Sequence, residues 1–464
     1  MVIEWQAPKL FTRSLSAFIH PAMYLIYSLL LGLGFVIMLP KFLLSAWRHG
    51  KYVSGLSQRL GRLEKANNGN SPVVWLHCVS VGEVQAARPL VHAIRREFPD
   101  YAILVSTVTV TGQQLAREVF KNEATQVFYF PVDWRWSVRR ALKAVKPSLV
   151  LIMETELWPN FLFECRNRKI PTAIVNGRLS EKSFGRYKLI GSFITKVVNC
   201  LDLAVMQTEA DADRMRGLGL RFERVLVSGN MKFDAGALDQ TSSLTAELAA
   251  RFHFSDERSV LLAASTHEPE EKILLDVFSG LRAAGLDKTR LVIAPRHPER
   301  FGAVASMLQD SRFTWARRSA QAAPSDSEAD VILFDTIGEL RALFPLSSLV
   351  FVGGSLAPVG GHNILEPAAV GACIVTGPHT KNFDEIIKTF NAREALVQIA
   401  PGQNGAVATA LGQVFTDLLA DAERRHDLGA RGKALVEENS GATSRTIEFL
   451  KTILTGAPLQ GFNR

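Results

Sequence analysis

The strongest constraint on this chain is a pattern that occurs twice. Short, continuous apolar runs alternate with amphipathic stretches, and after a polar stretch at Asp234–Arg258 the alternation restarts. The first series is Val73–Val79, Ala102–Ser106, Val127–Phe130, Leu149–Met153, Thr172–Val175, Leu203–Val205 and Val225–Val227. The second is Val260–Ala264, Leu291–Ala294, Val331–Phe334, Leu349–Val352 and Cys373–Val375. Unbroken apolar strands separated by helices are the mark of parallel sheets covered on both faces. The 464 residues therefore read as two doubly wound α/β units of similar size. Open sheets of this class bind ligands at the carboxyl ends of their strands, so a cleft between the two units is expected. Val407–Leu419, Ala422–Glu438 and Ser444–Leu454 read as closing helices, and Gln321–Ala329 as an exposed loop.

Ahead of this pattern, Ser14–Pro40 holds no Asp, Glu, Lys or Arg, and Ala22–Leu39 is almost wholly apolar. Eighteen helical residues reach roughly 27 Å, close to a bilayer's hydrocarbon thickness. No small-residue cleavage site follows, which favours an uncleaved signal anchor over a signal peptide, with shallow insertion as the other option. The formal net charge is +8, of which residues 1–40 carry +1, residues 41–65 carry +5 and the remainder +2. That distribution places the segment after the anchor at an anionic, cytoplasmic leaflet and argues against nucleic acid as partner. Cys78, Cys165, Cys200 and Cys373 form no close pair, so neither a disulfide framework nor a structural zinc site is expected.

Four motifs fall where strands end. In Ser80-Val81-Gly82-Glu83 a carboxylate opens a helix, either as a general base or as a first-turn residue favoured by the helix dipole. The dipole would lower its pKa and keep it ionised. Glu154 and Glu156 flank a turn that runs into Trp158, Pro159 and Asn160; two carboxylates without a His or Asp at ligand spacing make a poor metal site. Arg296 and His297, each next to a proline, suit a phosphate or carboxylate, and Ser265-Thr266-His267-Glu268 follows its strand in the same way. Finally, Gly353-Gly354-Ser355 and Gly360-Gly361-His362-Asn363 would let backbone amides approach a phosphate, while Glu366, a turn beyond Asn363, could accept ribose hydroxyls. Neither GxGxxG nor GxxxxGK[ST] is present, so oxidoreductase and NTPase readings lose their support.

These motifs, together with GLSQRLG (55–61), STVTVTG (106–112), ETELWPN (154–160), NGRLS (176–180), GNMKFD (229–234), STHEPEE (265–271), PRHPERF (295–301), GGHNILEP (360–367) and GPHTKNF (377–383), resemble the Kdo transferase family, the 3-deoxy-D-manno-octulosonic acid transferases of lipopolysaccharide synthesis. The resemblance runs from the apolar segment to the last helix. It implies a GT-B glycosyltransferase: an anchor over 1–45, an amino-terminal acceptor unit over 46–233, a donor unit over 234–443, and a helix over 444–464 crossing back to the first unit. It implies CMP-Kdo as donor, a tetraacylated lipid A precursor as acceptor, and work at the cytoplasmic face of the inner membrane. By residue matching Glu83 is the base; Lys232, Ser265, Arg296, His297, Gly353, Gly354, Ser355, Asn363 and Glu366 hold the donor. Ser80, Gly82, Thr111, Glu154, Glu156 and Arg178 are acceptor-side candidates. Neither metal nor cofactor is expected, because cations and helix starts can hold one phosphate and one carboxylate. Cys78, Gly177 and Pro269 depart from the family's common residues. The rival readings are a membrane-associated GT-B transferase using a UDP-sugar, and a non-enzymatic protein that binds anionic lipid.

Overall fold

The computed structural model describes residues 21–49, 55–64, 71–234, 242–254, 258–402 and 404–455. The chain divides into two compact units, Met1–Met231 with Gly441–Arg464, and Lys232–Ser440.

The first unit is built on β1 (Val73–His77), β2 (Ala102–Thr107), β3 (Gln126–Tyr129), β4 (Leu149–Met153), β5 (Thr172–Gly177), β6 (Leu203–Met206) and β7 (Val225–Val227). They form one parallel sheet in the order β3-β2-β1-β4-β5-β6-β7. Trp75, Leu76, Leu104, Val150 and Ile152 are fully buried within it, and helices cover both faces, which is why these strands read as unbroken apolar runs. The last described helix, Ala442–Thr455, belongs to this unit and packs on the helix Val81–Glu97. Ile447, Phe449 and Leu450 join the same core cluster as Val84 and Leu90.

The second unit repeats the plan with β8 (Val260–Thr266), β9 (Arg290–Pro295), β10 (Trp315–Arg317), β11 (Val331–Leu333), β12 (Leu349–Val352), β13 (Ile374–Thr376) and β14 (Val397–Gln398). Their order is β10-β11-β9-β8-β12-β13-β14, again all parallel. In each sheet the direction of winding reverses once, between β1 and β4 and between β8 and β12. A crevice opens at the carboxyl ends of such strand pairs.

Two expectations are corrected and one helix is added. The loop expected at Gln321–Ala329 contains a short 3-10 helix, Pro324–Glu328, whose Asp326 is buried against Arg251 at 2.8 Å. The polar stretch Asp234–Arg258 contains the helix Ser242–Phe252, with Leu248 and Phe252 fully buried. The apolar segment is a helix, Pro21–His49, yet among the described residues no helix is long and apolar enough to cross a membrane. Instead its first turns lie on the first unit. Tyr24 is fully buried, stacked on Phe163 at 4.2 Å, and Asn160 Nδ2 donates to Ser28 Oγ at 3.0 Å. Leu25, Leu29, Leu33 and Val36 stay exposed, Leu29 at 64%. Of the basic stretch 41–65, the side chains of 41–49 and residues 50–54 and 65 lie outside the described residues. Arg59 turns inward, with its guanidinium 4.3 Å from the Tyr129 ring and donating to the Val108 carbonyl at 2.6 Å.

Candidate active site

Both switch points carry a buried carboxylate at the start of the helix that follows the first strand. In the first unit it is Glu83. Ser80 precedes the helix Val81–Glu97 without capping it through its side chain; its hydroxyl donates to Glu83 Oε1 at 3.2 Å, and the Val79 amide donates to Oε2 at 2.8 Å. Glu83 is only 6% exposed. Burial pushes its pKa up to about 8, against the two hydrogen bonds that favour the ionised form, and Glu154 and Glu156 push it further. This corrects the expectation of a lowered value. A helix terminus is worth about 0.3–2 kcal/mol to a charge, and loss of water opposes it with more.

Of the acceptor-side candidates, Ser80, Glu154 and Glu156 act on this carboxylate directly, and the others lie on neighbouring turns. Glu154 follows β4 with φ 54°, a left-handed conformation that costs a residue bearing a Cβ of order 1–3 kcal/mol and persists where the surroundings enforce it. Burial, then Glu154, raises the Glu156 carboxyl. The Arg178 amide donates to Thr155 Oγ1 at 3.1 Å, joining the turns after β4 and β5. Gly82 is exposed, and a Cβ there would meet only Ser80 Oγ at 3.9 Å, so open space lies over the helix start. Thr111 is exposed in the first turn of Val110–Val119. That turn lies against Ser80, since a Cβ on Gly112 would sit 3.4 Å from the Ser80 carbonyl carbon.

The structure also supplies Asn176, which no motif had marked as more than part of NGRLS. It has φ 53°, its Oδ1 accepts from the Met231 amide at 2.9 Å, and its Nδ2 is buried without a partner. A β-end Asn with left-handed backbone is the signal that could have found it.

In the second unit the buried carboxylate is Glu270, fully enclosed, and it overturns the reading of the glycine run. Glu270 Oε1 accepts from the amides of Ser355 (2.9 Å), Leu356 (2.8 Å) and Ala357 (3.2 Å), and Oε2 from Gly354 (2.7 Å) and His267 (2.9 Å). The amides expected to meet a phosphate thus meet a carboxylate of the protein itself. Ser355 is equally enclosed, its hydroxyl donating to the Val352 carbonyl at 2.5 Å and accepting from the Gly377 amide at 2.9 Å. Gly353 is required by close approach: a Cβ would lie 2.7 Å from the Ser265 carbonyl oxygen and 2.8 Å from Thr266 Cα. These three residues build the floor of the site and leave no free amide row.

What lines the floor is a ring of side chains. Ser265 has φ 56° where β8 bulges against β9. The Arg296 amide donates to the Thr266 carbonyl at 3.0 Å, and the Arg296 and His297 side chains are exposed beyond β9. Arg300 ties this turn down by donating to buried Glu271 at 3.1 Å and to Glu268 at 2.5 Å. The helix expected from Asn363 is short, Leu365–Ala369, and Glu366 is not a lone carboxylate: its Oε1 accepts from Arg341 at 2.8 Å and from Asn363 Nδ2 at 3.3 Å. A diol reaching Glu366 would share it with Arg341. Lys232 is half-buried at the start of the second unit. Among the described residues no group of three or more His, Cys, Asp or Glu is placed to hold a metal ion.

Residues 54–235 match the family model described as 3-deoxy-D-manno-octulosonic-acid transferase (kdotransferase). The 3-deoxy-D-manno-octulosonic acid transferase of Haemophilus influenzae is 34% identical over 404 residues, 87% of this chain and 92% of the relative. The chain belongs to the Kdo transferase family. As a Kdo transferase family member it is an enzyme of the glycosyltransferase class, and its two parallel-sheet units have the matching architecture. Among solved structures, a UDP-GlcNAc 2-epimerase from Neisseria meningitidis (TM-score 0.53, 13% identity, 82% of this chain and 99% of the other) and a glycosyltransferase from Rickettsia africae (TM-score 0.50, 12% identity, 84% and 100%) share the fold. In this Kdo transferase family member, then, the motifs converge on the strand ends of two similar sheets, and the site residues divide between them.

Proposed function

We propose that the protein transfers Kdo from CMP-Kdo to a tetraacylated lipid A precursor by direct, inverting displacement, with Glu83 as general base. The observation that carries this reading is the Glu83 carboxylate: buried, held by only two donors, and raised into the range where a carboxylate both binds and releases a proton near neutral pH. Glu83 takes the proton of the acceptor hydroxyl as the hydroxyl oxygen bonds to the anomeric carbon. The bond from that carbon to the phosphate oxygen breaks, and CMP leaves with the electron pair as a stable anion. The donor's phosphate and carboxylate meet Arg296, His297 and the neighbouring histidines of the second unit, with Ser265 and Lys232 as further contacts, so the reading needs no metal. Arg341, Asn363 and Glu366 form the polar group for the ribose.

We place the enzyme at the surface of an anionic membrane, at the cytoplasmic face of the inner membrane. Supporting this are the exposed leucines of helix Pro21–His49 and a basic cavity of about 700 Å³ in the first unit, lined by Arg139, Arg140, Lys143, Lys146 and Arg168 over Leu142 and Ile170. The test is thermal unfolding with nucleotides, followed by mass spectrometry of products from CMP-Kdo and lipid acceptor. Protection by CMP and not UDP, with an acceptor heavier by Kdo, is expected; protection by UDP alone refutes the reading.

A further inference from the structure

Three imidazoles meet on the floor of the second unit's site. His267 follows β8, His297 follows β9, and His362 sits in the glycine turn beyond β12. His267 Nε2 and His362 Nε2 are 2.8 Å apart with ring planes 7° from parallel, and the His297 ring stands edge-on to His267 at 5.0 Å. At 2.8 Å one of the two nitrogens carries the hydrogen and the other accepts it. Such a pair has room for one more proton, on a ring Nδ1, with the bond intact. Two more would turn N–H against N–H and break it. The groups around the pair are Arg296, Arg300, His297, Glu268, Glu270 and Glu271, and the three carboxylates are already engaged by Arg300 or by backbone amides.

We propose that the His267–His362 pair is the charge adjuster of the donor site, taking up one proton from solvent when an anionic nucleotide binds and releasing it when the product leaves. The proposal rests on the donor reading above and deepens it. In the empty site, burial and the neighbouring cations hold both rings neutral: His362 is lowered to about 3, by burial first and then His267, Arg296 and His297, and His267 is lowered by burial and then His297. A phosphate arriving among them reverses that field, and one imidazolium then donates to the ligand while still bonded to its neighbour. A fixed pair of arginines would repel itself in the empty site; a titrating pair carries charge only when it is matched.

The test uses the full chain and CMP. Isothermal titration calorimetry in HEPES and in Tris at about pH 8, where free CMP is already a dianion, reads the proton taken up by the protein, because the two buffers differ in ionisation enthalpy. Uptake approaching one proton per CMP is expected, with affinity falling about tenfold per pH unit above neutrality. His267→Asn and His362→Asn should each bind CMP more weakly, with that uptake diminished. Imidazole nitrogen NMR of the unsubstituted protein, with and without CMP, gives the same answer if a variant fails to fold: the pair should titrate at higher pH in the complex. CMP binding without uptake, or with uptake undiminished in both variants, overturns the proposal and leaves the donor reading standing. Absence of CMP binding overturns the donor reading and the proposal together.

Discussion

Glu83 and Glu270 occupy the same place in two copies of one plan, the start of the helix after the first strand, and they are used in opposite ways. Glu270 accepts five backbone amides and locks a glycine turn to the strand beside it. Glu83 accepts one amide and one hydroxyl, beside two further carboxylates. A buried carboxylate fully enclosed by donors is architecture; one left short of donors and crowded by like charge is reactive.

That contrast breaks most sharply at Glu83. Glu83→Gln should lower transfer by about 10²–10⁴-fold, the usual contribution of a positioned base, while CMP affinity stays unchanged. Turnover near the natural rate would remove the distinction between the two sites. Glu270→Ala should instead destabilise the chain by about 3–5 kcal/mol in urea unfolding, because several buried amides lose their acceptor. A loss under 1 kcal/mol would mean that the amides find other partners.

A smaller effect follows from Gly353. Gly353→Ala places a methyl against backbone and should cost about 1–3 kcal/mol, whereas Gly82→Ala, beside Glu83 in open space, should leave stability nearly unchanged.

The pH dependence sharpens the comparison further. Glu83 keeps its proton in the folded chain up to about pH 8 but loses it near 4.5 when unfolded. Its contribution to stability is therefore fully present below 4.5 and is lost as pH rises through 8. Denaturation across that window should show a decline that Glu83→Gln flattens, while the rate of transfer rises toward pH 8.

Much of the fold was legible because parallel, doubly covered strands must be apolar along their whole length. The exceptions are informative. β10 has three residues and β14 two, both at a sheet edge, too short for any periodicity to register. Asp326 sits in a stretch of small polar residues that reads as solvent-facing, and only its distant partner Arg251 shows otherwise. At the site, the motifs marked the right strand ends, since glycines, prolines and charges interrupt apolar runs there. What each residue does was not legible. The glycine run implied open amides, and the acceptor that fills them lies more than eighty positions earlier, where Glu270 is one of three acids in STHEPEE with nothing to single it out. The direction of the Glu83 shift was likewise hidden, because burial is a property of the packed chain.

The amide clasp around Glu270 also sets where this protein tolerates variation. The amides of residues 354–357 are held by the first residue of helix Glu270–Ala283, so a change there is felt as misfolding before it is felt as altered recognition. Arg341 and Asn363 each donate to Glu366 through their side chains. A combinatorial library aimed at a different nucleotide should be drawn over those three positions, with the glycine turn held constant.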